Sequence, residues 1–259
     1  MSTYTLTFGD VSENHVGMQK ISLTDEKCKS ISYSKLKKIH KKLSKSYLCT
    51  LIKVHHIQKK KNQDSEIPPD FPKTGFLIFH NALQNLFSED FQKDLTTEMK
   101  NLDWDKKAKM RGRVVNKKAR YNLCFSNFDQ EPDYENSKGR VYNFENLENL
   151  YTLKSKISKI IGYENLTCEG NFYYDVKKCY IGFHGDSERK IVCGVRLGKN
   201  FPFHISWFYK NKRVSKIFSL NLLDGDMYIM SDNMVGTNWK KSSIPTVRHA
   251  AGNLLYLKK

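Results

Sequence analysis

Two residues in the second half of the chain have the types and the spacing of metal ligands. His184 and Asp186 lie two positions apart at the end of a predicted strand, so both side chains leave the same face of that strand. An imidazole and a carboxylate side by side need one more histidine to form a facial triad, which suits non-haem iron(II) that binds an oxo acid and oxygen. The pair alone is a weak signal, because an HxD sequence occurs by chance in many chains and then lies in a solvated turn.

The sequence around this pair resembles a known family of oxygenases. An Asn-x-Tyr-x-Asp motif lies at 171–175, the pair itself lies in Ile-Gly-x-His-x-Asp-x-Glu-Arg at 181–189, and a Leu-Asp-Gly-Asp-Met-Tyr-Ile-Met run at 223–230 precedes a late His249. This order resembles the iron(II)- and 2-oxoglutarate-dependent oxygenases, and the stretch around His184 is similar to the DNA-repair members of their AlkB group. The resemblance extends from about residue 75 to the C-terminus, is densest over 171–190 and is absent from the first seventy residues.

The resemblance implies roles for individual residues. His184 and Asp186 would be two ligands of Fe(II), and Asn171 and Tyr173 would hydrogen-bond the carboxylates of the co-substrate, 2-oxoglutarate. Glu188 and Arg189 would lie behind the ligands or at the edge of the substrate, with a surface ion pair as the alternative.

The third iron ligand depends on the register at the C-terminal end. The AlkB group ends with a distal histidine and two arginines in R-x-N-x-T-x-R, and here only the final T-x-R is present, at Thr246 and Arg248. No histidine lies between His204 and Arg248, so the AlkB register lacks the distal ligand. We therefore choose His249, the register of prolyl-hydroxylase-like oxygenases. His204, between apolar neighbours, is expected to be a core or pocket residue.

The two registers also assign the basic partner of the oxo acid differently. In the prolyl-hydroxylase-like register a basic residue about one strand downstream binds the oxo-acid carboxylate, and Lys258 and Lys259 occupy that place. In the AlkB register Arg248 would make this contact. Arg248 and His249 are neighbours on a predicted strand and must point to opposite faces. Arg248 and Lys258 therefore both remain candidates.

The pattern of strands and helices around these residues predicts an α+β protein with a double-stranded β-helix, or jelly roll, as its core. Short strands separated by turn residues are typical of that fold, and helices are expected at 82–99 and 147–161. The predicted strands lie at 75–79, 121–125, 171–174, 179–183, 191–197, 204–209, 217–222, 227–230, 246–250 and 254–257.

The first seventy residues differ in composition, which suggests a Lys-rich N-terminal region at 1–70 and a dioxygenase domain at 71–259. From Lys27 to Lys61 there are twelve lysines and no acidic residue. Within this stretch Leu36, Ile39 and Leu43 recur at helical spacing, Ser32 or Ser34 can cap the helix, and a strand follows at 48–54. The basic helix is either a phosphate-contacting surface or the solvated face of an ordinary packing helix.

Composition limits the class of protein and its partners. The 259 residues are 39% hydrophobic and 12% aromatic, which excludes wholesale disorder, and the six scattered cysteines fit neither zinc spacing nor a disulfide framework. No signal peptide or membrane span is recognisable, so an intracellular protein in the cytoplasm or nucleus is expected.

Forty-four basic against 27 acidic residues give a net charge of +17, which favours nucleic acid as a partner unless the charge reflects a generally Lys-rich proteome. A basic segment at 106–120 lies where the AlkB group has its substrate lid.

The leading hypothesis is an AlkB-like dioxygenase that demethylates or hydroxylates a nucleic-acid base. A second hypothesis keeps the iron chemistry and moves it to a protein side chain or a small molecule, which the His249 register favours. A third is a catalytically degenerate jelly roll that binds nucleic acid without turnover, since Ser242 stands where the AlkB group has an arginine. A zinc hydrolase with the same ligands lacks an evident general base.

Overall fold

The computed structural model describes residues 1–26, 28–55 and 70–257, and it is a mixed α+β protein built mostly of sheets. The helices are α1 (Tyr33–Leu43), α2 (Ala82–Leu86), α3 (Glu89–Lys100), α4 (Glu148–Ile161) and α5 (Asp232–Val235). The strands are β1 (Thr3–Gly9), β2 (Ser12–Glu13), β3 (Lys20–Ile21), β4 (Cys49–Lys53), β5 (Gly75–Phe79), β6 (Lys107–Met110), β7 (Arg113–Asn116), β8 (Tyr121–Ser126), β9 (Val141–Asn143), β10 (Thr167–Tyr173), β11 (Tyr180–His184), β12 (Cys193–Gly198), β13 (Phe201–Tyr209), β14 (Lys212–Arg213), β15 (Phe218–Leu222), β16 (Met227–Met230) and β17 (Thr246–Gly252).

Two sheets form the body of the molecule. The large sheet has eight strands in the order β4-β5-β16-β12-β1-β10-β8-β9. The small sheet has the order β11-β17-β13-β14, and β15 pairs with the first residues of β13, at 201–205, while β14 pairs with its end. Two separate hairpins, β2-β3 and β6-β7, complete the strand pairing among the described residues.

The large sheet has two different faces, which divide the core in two. Leu6 and Phe8 of β1 lie in a core cluster with buried side chains of α1, α3 and α4, so this face is covered by helices. The opposite face meets the small sheet, where Phe76 packs on Phe203 with ring centroids 5.1 Å apart. The second cluster lies between the two sheets, and the apolar burial in both clusters is the main stabilising term of the fold.

The N-terminal strand lies in the middle of the large sheet, which the sequence pattern did not predict. β1 pairs antiparallel with β10 on one side and with β12 on the other, and β4 is an edge strand of the same sheet. The described part of the Lys-rich N-terminal region is therefore packed into the same sheet as strands from the rest of the chain.

Most of the predicted elements are present, and two of them differ. The basic helix is confirmed as α1, where the Ser32 hydroxyl accepts a hydrogen bond from the Lys35 amide at 3.1 Å. The predicted helix at 82–99 is two helices, because Ser88 caps a new start at Glu89. The predicted strand at 254–257 is wrong. Asn253 caps a 3₁₀ turn there instead, with its Oδ1 accepting from the Leu255 amide.

Two expectations about the chain as a whole concern membrane spans and cysteines. Within the described ranges no helix is both long and apolar enough to cross a bilayer. All six cysteines are free thiols, and four of them are buried.

Candidate functional site

The site is built where two neighbouring strands of the small sheet meet. β11 and β17 run antiparallel, and His184 and His249 are directly opposite partners in their register. Directly opposite residues on one face of a sheet are close neighbours, so this pairing brings the two imidazoles together although 65 positions separate them in the sequence.

A glycine turn brings Asp186 to the same place. Directly after β11, Gly185 lets the chain pass against the backbone of Gly236, and a Cβ at Gly185 would lie 2.3 Å from the Gly236 carbonyl oxygen. The Asp186 amide then donates to the Val235 carbonyl at 2.9 Å. This contact with α5 fixes the direction in which the Asp186 side chain points.

The three side chains converge on one point. The Nε2 atoms of His184 and His249 lie 3.5 and 3.7 Å from the same oxygen of Asp186, and the candidate ligand atoms all lie within 4.8 Å of one another. The two histidine–aspartate distances are longer than ordinary hydrogen bonds. The predicted grouping of His184, Asp186 and His249 is therefore present as a compact cluster.

The pKa shifts of Asp186 and His249 favour the forms of these two side chains that bind a metal. Burial raises the pKa of Asp186, but the two imidazoles and the Arg189 guanidinium outweigh it and hold that pKa well below the usual range. Burial and the neighbouring His184 lower the pKa of His249. His184 points Nδ1 at the Gly182 carbonyl at 2.8 Å, which leaves Nε2 as the free ligand atom. An ionised carboxylate and neutral imidazoles are the forms that bind a metal.

A cavity between the two sheets opens onto the cluster. The small sheet contributes the two histidines, Phe203 and Ala251, and the large sheet contributes polar side chains from its inner face. These inner-face residues are Thr5 and Thr7 of β1, Glu169, Asn171 and Tyr173 of β10, Arg196 of β12, and Tyr228 of β16. One wall of the cavity therefore carries the candidate ligands, and the other carries hydrogen-bonding groups and a cation.

Asn171 and Tyr173, which were predicted to contact the co-substrate, both line this cavity. The Asn171 amide is already engaged, since its Oδ1 accepts from Arg120 Nε at 2.6 Å and from Asn122 Nδ2 at 2.7 Å. Tyr173 is buried, and its ring packs on Phe201.

The two basic residues predicted for the oxo acid have different outcomes. Arg248 lies on the opposite face of β17 from His249, as the strand periodicity required. Its guanidinium stacks on Phe208 and Trp239, and Nη2 donates to Asn211 Oδ1 at 2.9 Å. The structure therefore does not bring Arg248 to the cavity. Lys258 and Lys259 lie outside the described residues.

Beside the cluster, and in part lining the same cavity, lies a buried ion-pair network that the sequence did not distinguish from a surface pair. Arg189 is 4% exposed and binds both Glu169 and Glu188 through Nη2. Burial opposes the charge of Arg189, but the surrounding carboxylates raise its pKa well above the usual value. Burial raises the pKa of Glu188. Within this network the Arg189 guanidinium is the group that favours the ionised form of Asp186.

The lining of the cavity does not include His204, Trp207 or Trp239. His204 is buried and bonds the Gly252 carbonyl and the Ser219 hydroxyl through its two ring nitrogens, as expected for a core histidine. Trp207 packs edge-on against Phe71 in the core, and Trp239 stacks on Arg248, so neither lines the cavity.

The sequence reasoning missed several residues on the cavity wall, among them Arg196 and Thr5. Arg196 is 1% exposed in an otherwise apolar strand, and its Nη1 donates to the Thr5 hydroxyl at 2.7 Å. A charged residue inside the run Val-Arg-Leu at 195–197 was the available signal, because arginine is rarely buried without a partner or a ligand. For Thr5 no signal was available, since β1 itself was not predicted.

The basic segment at 106–120 contains a hairpin and ends at Arg120, which contacts the cavity wall. β6 and β7 are joined by Arg111 and Gly112, both with positive φ, as a tight hairpin turn requires. Lys107, Arg111 and Arg113 are exposed, and Arg120 at the end of the segment bonds Asn171 on the cavity wall. The chain therefore leads from an exposed positive hairpin to a residue that contacts the cavity wall.

A viral protein is similar to this chain over nearly its whole length. A protein of Acanthamoeba polyphaga mimivirus, itself named as uncharacterized, is 43% identical over 250 residues, which cover 96% of this chain and 95% of the relative. No protein-family model matches the chain. The name of the relative states no activity, so the function of this chain has to be inferred from the site.

Proposed function

The chain belongs to the same family as the mimivirus protein, and we propose that it is an iron(II)- and 2-oxoglutarate-dependent dioxygenase of the AlkB type that oxidises a nucleic-acid base. The observation that carries this proposal is the convergence of His184, Asp186 and His249 on one point at the end of a cavity. Two imidazoles and one carboxylate on one side of a metal leave the other side free for an oxo acid and oxygen.

The donor set fits iron(II). Asp186 offers an ionised oxygen, burial favours the neutral form of His249, and His184 directs Nδ1 to the Gly182 carbonyl so that its Nε2 faces the cluster. Iron(II) held there would supply the oxidation of a C–H bond, coupled to the decarboxylation of 2-oxoglutarate. The protein residues would orient both substrates, and Val192, Phe203 and Met230 would exclude water from the cavity.

The strand order supports a jelly-roll interpretation of the fold. A jelly roll consists of two facing four-stranded sheets, and its strands, numbered 1 to 8, have the orders 1-8-3-6 and 2-7-4-5. With β10 as strand 1, the small sheet runs β11-β17-β13-β15 and matches 2-7-4-5. The large sheet contains β10-β1-β12-β16, which matches 1-8-3-6 with β1 in the position of strand 8. In this interpretation the last strand comes from the N-terminal end of the chain.

The basic hairpin supports nucleic acid as the substrate class. Its exposed lysines and arginines could neutralise phosphates while one base enters the cavity, because an enzyme that acts on a base must take it out of the stack. The net charge of +17 has the sign that this association needs.

The metal and the co-substrate can be tested together. We expect the purified protein to bind one equivalent of iron(II) and to convert 2-oxoglutarate to succinate. Asp186→Ala should weaken metal binding by more than about 100-fold and abolish succinate formation, because two neutral ligands remain for a dication. Asp94→Ala, on the exposed face of α3, is the matched control and should behave as the unchanged protein does.

Two outcomes would contradict parts of the proposal. Stoichiometric iron binding and undiminished succinate formation in Asp186→Ala would disprove the metal site. Succinate formation that no methylated or unmodified oligonucleotide stimulates, and that leaves no mass change on the oligonucleotide, would exclude nucleic acid. It would then favour a protein side chain or a small molecule as the substrate.

A further inference from the structure

Arg196 is a buried cation that forms no ion pair with any of the described residues. Its side chain is 1% exposed, Nη1 donates to Thr5 Oγ1, and Nε has no hydrogen-bond partner. In the described part of the chain no carboxylate forms an ion pair with it. Taking a guanidinium out of water is unfavourable unless a partner compensates, so an arginine in this state is expected to meet an anion that the protein itself does not provide.

The nearest candidate within the protein is already committed. Asp226 is buried beside Arg196, but its carboxylate accepts hydrogen bonds from the amides of Asn81 and Leu223. Only the Asp226 backbone oxygen bonds Arg196, through the Arg196 amide at 2.9 Å. The guanidinium itself is left directed into the cavity, with the Phe201 ring 5.4 Å from it.

Arg196 belongs to a polar row that crosses the inner face of the large sheet. In the register of β10, β1 and β12, Asn171 is opposite Thr5 and Thr5 is opposite Arg196. All three line the cavity whose other wall carries His184, Asp186 and His249. A ligand between the two walls would therefore meet metal ligands at one end and a guanidinium with a threonine hydroxyl at the other.

We propose that Arg196 and Thr5 bind the remote carboxylate of an acyclic dicarboxylic 2-oxo acid whose oxo-acid end faces the histidine–aspartate cluster. This inference rests on the proposed function and identifies which residues of this chain select 2-oxoglutarate, in place of Arg248. It also makes β1, the N-terminal strand, a part of the binding site. Guanidinium groups suit carboxylates because they offer several parallel N–H donors.

The test compares two oxo acids that differ only at the remote end. 2-Oxoglutarate and 2-oxopentanoate share the oxo-acid group, but the second has a methyl group in place of the remote carboxylate. By titration calorimetry on the manganese(II)-loaded protein, we expect 2-oxoglutarate to bind about 10- to 100-fold more tightly, as one charge-assisted contact allows. Arg196→Met should remove this preference and leave the affinity for 2-oxopentanoate unchanged, and Arg196→Lys should restore part of it.

Two further variants keep the result interpretable. Arg248→Met should retain the preference, because that side chain is directed away from the cavity. If Arg196→Met does not fold, Thr5→Val removes the hydroxyl that supports the guanidinium and should weaken 2-oxoglutarate binding several-fold without affecting 2-oxopentanoate. The proposal is overturned if the unchanged protein binds both oxo acids equally, or if Arg248→Met loses the preference while Arg196→Met keeps it.

Glutarate separates this inference from the proposed function, since it has both carboxylates but no oxo group. Binding of glutarate to the metal-free protein that Arg196→Met abolishes would support the anion site even if the cluster bound no iron. Iron binding and succinate formation with an unchanged preference in Arg196→Met would retain the proposed function and overturn the role of Arg196.

Discussion

At the scale of single residues, the two glycines that flank His184 have different surroundings. A methyl group added at Gly182 would have no atom within 4 Å, whereas a Cβ at Gly185 would meet the Gly236 carbonyl oxygen at 2.3 Å and the Trp239 Cβ at 2.8 Å. A backbone oxygen cannot move aside as the end of a flexible side chain can. The close passage at Gly185 is what turns Asp186 toward the two imidazoles.

This contrast gives a matched pair of substitutions. Gly185→Ala should lower the free energy of unfolding by about 1–3 kcal/mol through overpacking, and it should weaken metal binding because the Asp186 loop is displaced. Gly182→Ala, within β11, should change both quantities little. Chemical denaturation and metal titration of the two variants check this. Equal effects of the two alanines would mean that the turn at Gly185 does not set the position of Asp186.

The candidate ligands could be predicted from the sequence, but the residues around them could not. His184 and His249 lie on strands with clear periodicity, so the directions of their side chains followed from the alternation along β11 and β17. Asp186 lies beyond the end of β11 and is placed by the turn at Gly185. Arg196 was visible as a charge in an apolar strand, but its lack of a partner depends on Asp226 being held by backbone amides, which only the folded chain reveals.

At the scale of elements, local signals decided what could be predicted. α1 combines an apolar stripe with a serine cap, and both were visible in the sequence. β1 was missed because its inner face consists of Thr3, Thr5 and Thr7, which are buried by the facing sheet and not by their own hydrophobicity. The predicted strand at 254–257 failed because Asn253 bonds its own neighbouring backbone and starts a turn.

The two basic elements of the protein lie in different places, and this difference can be tested. The β6-β7 hairpin precedes Arg120, which bonds Asn171 of the cavity wall, whereas α1 packs on β4 and β5 at the edge of the large sheet. Changing Lys107, Arg111 and Arg113 to glutamine should weaken the binding of a short single-stranded oligonucleotide. It should also reduce the slope of log affinity against log salt by up to about 2, at roughly 0.7 per lost phosphate contact.

The matched control removes charge from the exposed face of α1 instead. Changing Lys37, Lys38 and Lys41 to glutamine removes the same net charge, so it tests for a general effect of the protein field. If the two triple variants give the same salt slope with a short oligonucleotide, the hairpin makes no specific phosphate contacts. A slope that changes only in the α1 variant would assign binding to the Lys-rich region.

At the scale of the whole molecule, the cavity depends on segments that are distant in the sequence. Its large-sheet wall needs β1 from the start of the chain, β10 and β12 from the middle, and β16 from further on, while the candidate ligands come from β11 and β17. Removing residues 1–70 would therefore take a central strand out of the large sheet. Substitutions within the full chain are the better test of the N-terminal region.

The contribution of β1 can be measured at Leu6, whose side chain is fully buried on the helix-covered face of the large sheet. Leu6→Ala should lower the free energy of unfolding by about 2–5 kcal/mol, since it removes buried methyl groups and leaves a cavity in the core. Leu48→Ala is the control, because Leu48 is 72% exposed and its truncation should change stability by less than about 0.5 kcal/mol. Urea denaturation followed by fluorescence gives both values. If Leu6→Ala is no more destabilising than Leu48→Ala, β1 is not the central strand of the sheet, and Thr5 could not take part in the anion site beside Arg196.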